Sequence, residues 1–192
     1  MSVAEPPRDQ RVLVIGLSPV KNEDVVASLR ELGIDAVGCT EPDTAAERYD
    51  ARQFKVIAFG RGALGPGAER LKHAFSDQDP RVGFVDAFGP IAVAQVAAAI
   101  QRSPGSPALV EDLTFTLHDR GGQVTATVLT TCHICVSLYH QPTQESLEKT
   151  VLLDADVAEG RMTCPLSDTN LSGAYSLVAV VNGEEFHHLP FL

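Results

Sequence analysis

The hydrophobic period of this chain changes once, at Ser103-Pro104-Gly105-Ser106-Pro107. Before that point, short apolar runs alternate with stretches whose apolar residues recur at helical spacing. After it, apolar residues recur at every second position. The two patterns are not interchangeable, because side chains return to one face every second residue along a strand and roughly every 3.6 residues along a helix. Two prolines, a glycine and two serines in five residues read as a linker. The chain is therefore expected to comprise an N-terminal tail (1–10), a first domain (11–102), a linker (103–108) and a second domain (109–192).

In the first domain, Arg11–Gly16 is a continuous apolar run suited to a strand buried on both faces. Asn22 can cap a helix running to Leu32, and Gly33 follows as its C-terminal stop. Ile34–Cys39 reads as a second strand, and Asp43 can cap a short helix through Tyr49. Phe54–Phe59 is a third strand, and Pro66 opens a helix to about Phe75. Arg81–Val85 is a fourth strand, with a helix from Ile91 to Gln101. Four strands alternating with four helices predict a three-layer α/β domain with a parallel sheet.

The second domain alternates with period two. Leu113, Phe115 and Leu117 interleave with Thr114, Thr116 and His118, and Val124, Ala126 and Val128 with Thr125 and Thr127. Asp119-Arg120-Gly121-Gly122 reads as a turn. Cys132–His140, Glu148–Val157, Met162–Leu166 and Ala174–Val181 follow as strands, and Asn182-Gly183 is a two-residue hairpin turn leading into Glu184–Phe191. About seven short strands predict an antiparallel β-sandwich.

Charge divides at the same boundary. The 192-residue chain carries 15 Lys+Arg against 25 Asp+Glu, a net charge of −10. Residues 1–105 hold 14 acids and 12 bases, and residues 106–192 hold 11 acids and 3 bases. An acidic second domain is unsuited to phosphate backbones, which require clustered Lys and Arg. Neither a nucleic-acid nor a membrane partner is expected, since the longest apolar stretch, Pro90–Ile100, is too short to span a bilayer. The N-terminal MSVAEPPRDQ carries no signal-like apolar run, so a cytoplasmic location is expected, with Cys39, Cys132, Cys135 and Cys164 reduced.

The order of elements and the apolar first strand in 11–102 resemble a flavodoxin-like, response-regulator receiver domain. The resemblance implies acidic residues after the first strand and a phosphoacceptor Asp ending the third. This chain has Gly16-Leu17-Ser18-Pro19 and Phe59-Gly60 there, so aspartyl phosphotransfer at the usual position is not expected. Residues 110–192 resemble a fibronectin type III or related immunoglobulin-like domain. There a Leu four residues before a Tyr, here Leu171 and Tyr175, precedes alternating apolar positions and marks a tyrosine corner. The chain has no Trp, so the early-strand Trp of such domains has no counterpart.

Gly60-Arg61-Gly62-Ala63-Leu64-Gly65 is a literal G-x-G-x-x-G between a strand and a helix, and the next strand ends at Asp86 about 20 residues on. In a dinucleotide fold such glycines admit a pyrophosphate and the acid takes a ribose hydroxyl. Pro66 removes one helix-start N–H, and only four strands are available. The loop therefore reads as a structural βα connection, an anion contact, or a dinucleotide site. Ser18, Gly60, Arg61, Gly62, Gly65 and Asp86 are the candidate ligand-binding residues, at the strand ends where open α/β sheets bind ligands.

Cys132-His133-Ile134-Cys135 is a C-x-x-C within a strand, which points its thiols to opposite faces, so metal or redox chemistry is not expected. His187 and His188 fall on opposite faces of the last strand. The helix Ile91–Ile100 is apolar nearly all round. Such a helix is either covered by the adjoining sandwich or forms an interface between chains, with Ile91, Val93, Val96 and Ile100 as candidate interface residues, and Val178 and Val180 point the same way. The combined expectation is a non-catalytic interaction or assembly protein, homodimeric or bound to another protein, with no cofactor. The alternative is a protein that binds a nucleotide or phosphorylated small molecule at Gly60–Gly65.

Overall fold

The computed structural model describes residues 11–102, 106–118, 121–140, 147–167, 171 and 173–190, with the side chains of Tyr175 and Pro190 excepted. Residues 103–105 of the expected linker, the 119–120 part of the first sandwich turn and the side chain of Tyr175 at the expected tyrosine corner lie outside the described residues. The chain divides between residues 105 and 106 into two compact units.

The first unit is a four-stranded parallel sheet with strand order β2-β1-β3-β4. Its strands are β1 (Arg11–Ile15), β2 (Asp35–Cys39), β3 (Val56–Gly60) and β4 (Gly83–Ala87). Its helices are α1 (Pro19–Glu31), α2 (Ala45–Arg48), α3 (Pro66–Gln78) and α4 (Ala92–Gln101). The continuous apolar runs of β1 and β3 split by alternation between two cores. Leu13, Ile15, Ile57 and Phe59 join Phe54, Phe75 and Ala68 of the α3 side. Val12, Val14, Val56 and Ala58 join Val26 and Leu29 of α1 with Val96 and Ile100 of α4. Each central strand thus contributes to both faces, as buried parallel strands require.

Local chemistry sets the helix boundaries, with two departures from expectation. Ser18, not Asn22, caps α1: its hydroxyl accepts from the Lys21 N–H at 3.4 Å. Pro19 favours this arrangement, since its missing N–H falls where a helix start has no partner for one. Asn22 lies inside α1 and is buried; its amide donates to the Val14 carbonyl at 3.0 Å and the Cys39 carbonyl at 3.4 Å, tying together the ends of β1 and β2. Gly33 ends α1 at φ +80°, with Ile34 N–H donating to Leu29 O and Gly33 N–H to Arg30 O, a Schellman closure. Asp43 caps nothing. A tight turn at Pro42–Thr44 leads into the single helical turn of α2, and Tyr49 is already extended.

The second unit is all antiparallel. Its strands are β5 (Val110–His118), β6 (Gly121–Val128), β7 (Cys132–His140), β8 (Glu148–Val157), β9 (Gly160–Ser167), β10 (Ala174–Val181) and β11 (Glu185–Pro190). They form two sheets, β5-β6-β9 and β11-β10-β7-β8. One core joins the sheets: Val124, Ala126, Val128, Met162 and Leu166 face Ile134, Val136, Leu138, Leu177 and Val181, as in a β-sandwich. Asn182 (φ +50°) and Gly183 (φ +72°) form a left-handed pair in the hairpin turn, but Val181 pairs with Glu185, so Glu184 joins them and the turn has three residues rather than the expected two. β5 bulges between Glu111 and Thr114, with Asp112 at φ +52°. Such a break blunts an edge strand against foreign pairing.

Candidate functional site

β1 and β3 lie side by side, while the chain departs from them toward opposite edges of the sheet, to β2 on one side and β4 on the other. The carboxyl ends of such a pair define the crevice where open α/β sheets bind ligands. Here that crevice is bounded by Gly16-Leu17-Ser18 after β1 and Gly60-Arg61-Gly62 after β3. A side chain at Gly60 would stand 3.5 Å from the Ile15 carbonyl, and one at Gly62 would stand 3.5 Å from a Leu17 methyl. The two loops therefore touch, and they do so through glycine.

The structure places the candidate residues as follows. Gly60 is the last residue of β3, in ordinary extended conformation. Arg61, exposed, opens a tight turn over Arg61–Ala63. Gly65 takes φ +116°, which only glycine adopts readily, and Pro66 then starts α3. The glycines thus turn the chain before the helix rather than winding directly into it. The start of α3 is also made less attractive to anions: Pro66 removes an N–H and Glu69 lies in the first turn. Ser18 is spent on capping α1.

Asp86 stands opposite Phe59 in the β3–β4 register and accepts an ion pair from Lys72 at 2.9 Å. Lys72 also meets Glu69 at 2.9 Å and lies 5.7 Å from the Phe59 ring centre. Burial works against the Lys72 charge, but the hydrogen bonds it donates to Glu69 and Asp86 outweigh it and hold its pKa above the ordinary lysine value. Cation and carboxylates are mutually satisfied there. Phe59 itself, at the position equivalent by resemblance to a phosphoacceptor, is fully buried.

Aliphatic side chains stand at this edge. Leu17 is 58% exposed, Val20 72% and Leu64 39%. All three sit at strand-to-helix junctions: Leu17 after β1, Val20 in the first turn of α1, Leu64 just before α3. The sequence signal was present as apolar residues interrupting otherwise polar or glycine-rich loops.

The other candidates are placed differently. Val96 is fully buried and Ile100 9% exposed, both within the unit's own core, and Val93 packs against it. Ile91, half-buried, precedes α4. The exposed positions on α4 are Ala94 and the terminal Gln101, so the helix offers no large apolar side chain to solvent. Its one polar residue before the terminus, Gln95, is buried and accepts from the Phe88 N–H at 2.8 Å. Val178 is buried and Val180 half-buried.

Cys132 and Cys164 lie in the sandwich core, and Cys135 lies on the opposite face, as alternation requires. Burial pushes the Cys132 thiol up in pKa, with Glu185 adding to the effect, and burial does the same to Cys164. Both favour the protonated thiol over the thiolate that metals and redox exchange use. His187 bonds Glu185 at 2.6 Å and His188 bonds the Ser176 hydroxyl. Among the described residues no group of three or more His, Cys, Asp or Glu side chains is arranged to hold a metal ion, and no helix is long and apolar enough to cross a membrane. No protein-family model, no curated protein and no solved structure matches the chain.

Proposed function

We propose that this chain is a non-catalytic interaction protein that self-associates through the carboxyl edge of its α/β unit. The observation that carries the reading is the exposed trio Leu17, Val20 and Leu64 at the crevice between β1 and β3. Aliphatic side chains held on short, well-anchored loops suit burial against another protein surface. A charged metabolite would instead require free donors or cations. In evolutionary terms the first unit is a receiver-like domain without phosphoacceptor chemistry, and the second is a fibronectin-type module. The order β2-β1-β3-β4 supports the first assignment, because it is the flavodoxin-like order without its fifth strand. The division into sheets of three and four strands supports the second.

Sedimentation of the full chain at tens of micromolar tests the reading. A dimer that becomes monomeric in the Leu17→Asp, Leu64→Asp double variant is the expected result; a monomeric wild type overturns self-association. A thermal-shift screen against nucleotides and phosphorylated metabolites tests the rival reading of a small-molecule site. No stabilisation is expected, whereas stabilisation abolished by Arg61→Ala would establish an anion site at Gly60–Gly65 instead.

A further inference from the structure

On the exposed outer face of the sandwich, one imidazole is held between two carboxylates of the neighbouring strand. His133 of β7 places Nε2 2.8 Å from Asp154 Oδ1 and Nδ1 3.0 Å from Asp156 Oδ1. Asp156 is His133's direct cross-strand partner and Asp154 lies two residues along β8, so the ring spans neighbouring positions on one face. An ionised carboxylate can only accept, and a neutral imidazole has one N–H and one lone pair. Two carboxylates, one on each ring nitrogen, are both satisfied only by the doubly protonated ring.

The backbone of His133 is fixed independently. Its N–H donates to Asn182 Oδ1 at 2.8 Å, and its carbonyl accepts the Asn182 N–H at 2.9 Å. The ring is thus based on the β10–β11 turn and reaches across to β8. In the sheet order, β8 is an edge strand paired only with β7, and that pairing shifts register between Val136 and Ser137. The segment Leu153–Val157 pairs beyond the shift, and the ring grips it there.

We propose that His133, Asp154 and Asp156 form a pH-operated clamp that fastens the edge strand β8 to β7. The charges acting on the ring, among the described residues, are these two carboxylates; Asn182 contributes a neutral amide from the turn, and Cys135 faces Asp154 along the same strand. The hydrogen bonds the ring donates to Asp154 and then to Asp156 hold the His133 pKa above its ordinary value of 6.5. The clamp is therefore fully closed below that ordinary value and opens as pH rises through the higher folded-state value. On deprotonation one nitrogen turns its lone pair toward a carboxylate, so that aspartate is repelled and its end of β8 is released. The two carboxylates sit on opposite nitrogens and cannot converge on one ion, so the chemistry is that of proton uptake rather than metal binding.

The test is side-chain NMR titration of the full chain, with amide hydrogen exchange in β8 corrected for its intrinsic pH dependence. The His133 midpoint is expected above 6.5 and is expected to fall in Asp154→Asn and again in the double Asn variant. Corrected exchange across Leu153–Val157 is expected to be several-fold faster at about pH 8 than at about pH 6, and this difference is expected to vanish in His133→Gln. A midpoint at or below 6.5, or a pH difference that persists in His133→Gln, overturns the proposal. The Asp variants retain the ring and are exposed positions, so the midpoint is readable even if His133→Gln folds poorly.

Discussion

The two units of this chain use the same resource, alternating apolar strands, in opposite ways. In the α/β unit, β1 and β3 bury both faces, and helices cover each side. Polar chemistry is pushed out of the two cores, and Lys72 of α3 is shared between Glu69 and Asp86. In the sandwich the inner face of the strands is buried and the outer faces of β8 and β9 carry polar groups, although β7 and β10 bury both faces at Val136–Tyr139 and Ser176–Ala179. Its ionisable contacts lie on the strands themselves: His133 reaches across to Asp154 and Asp156 of β8, and Glu185 pairs with His187 two residues along β11. Architecture decides where titratable chemistry can sit, and here it leaves the sheet edge of one unit apolar and the sheet surface of the other charged.

Core substitutions should give the largest effects and show the double burial most clearly. Phe59→Ala should cost about 3–5 kcal/mol, since the ring is fully buried and the site cannot refill. Hydrogen exchange should report the loss throughout β1, β3 and α3 while β7 and β10 keep their protection. Exchange lost equally in both units would contradict their description as separate compact bodies.

Next in size comes the buried carboxylate of the sandwich. Glu185 accepts from the Leu109 N–H at 2.8 Å, the Val110 N–H at 3.3 Å and His187, and so fixes the entry of β5. Burial works to raise its pKa, but the Leu109 N–H, the His187 ring and the Val110 N–H together hold it below the ordinary glutamate value of 4.5. Its contribution is complete above that ordinary value and is lost as pH falls through the lower folded value. Glu185→Gln should cost about 1–3 kcal/mol by denaturant unfolding at neutral pH, and the cost should shrink in acid. A cost independent of pH would show that the charge is not what holds β5.

A comparison of glycines separates the units at finer scale. A side chain at Gly38 would fall 2.2 Å from Asn22 Oδ1, and one at Gly122 would fall 2.6 Å from the Phe115 ring. Gly38→Ala should cost about 1–3 kcal/mol, because Asn22 must give up its hold on the Val14 and Cys39 carbonyls. Combining it with Asn22→Ala should recover part of the loss; strict additivity of the two would show that the amide is not the obstacle. The smallest effect belongs to the surface pair Arg48–Glu41, at 2.6 Å and half exposed or more. Glu41→Gln should change stability by less than about 1 kcal/mol in thermal unfolding.

The legible part of this molecule was its periodicity. The runs at Arg11–Ile15 and Val56–Gly60, the proline at Pro66, the stop at Gly33 and the Asn182-Gly183 turn each announce an element, because backbone geometry is encoded locally. Asn22 was misread as a cap because its value to the fold lies in contacts with Val14 and Cys39, 8 and 17 residues away. Spacing marks α4 as apolar nearly all round, but it cannot say that an outward position is Ala94 while Val96 and Ile100 lie in the unit's own core. Leu17 and Leu64 belong to no motif, and their exposure follows only from where β1 and β3 end.

The central claim, an aliphatic docking edge on the α/β unit, is tested most directly by methyl NMR of the full chain across a dilution series. The methyl signals of Leu17, Val20 and Leu64 should shift together with concentration, while those of Val93 and Val96 on α4 stay fixed. Concentration-dependent shifts on α4 with none at the three edge residues, or no shifts anywhere, would contradict it.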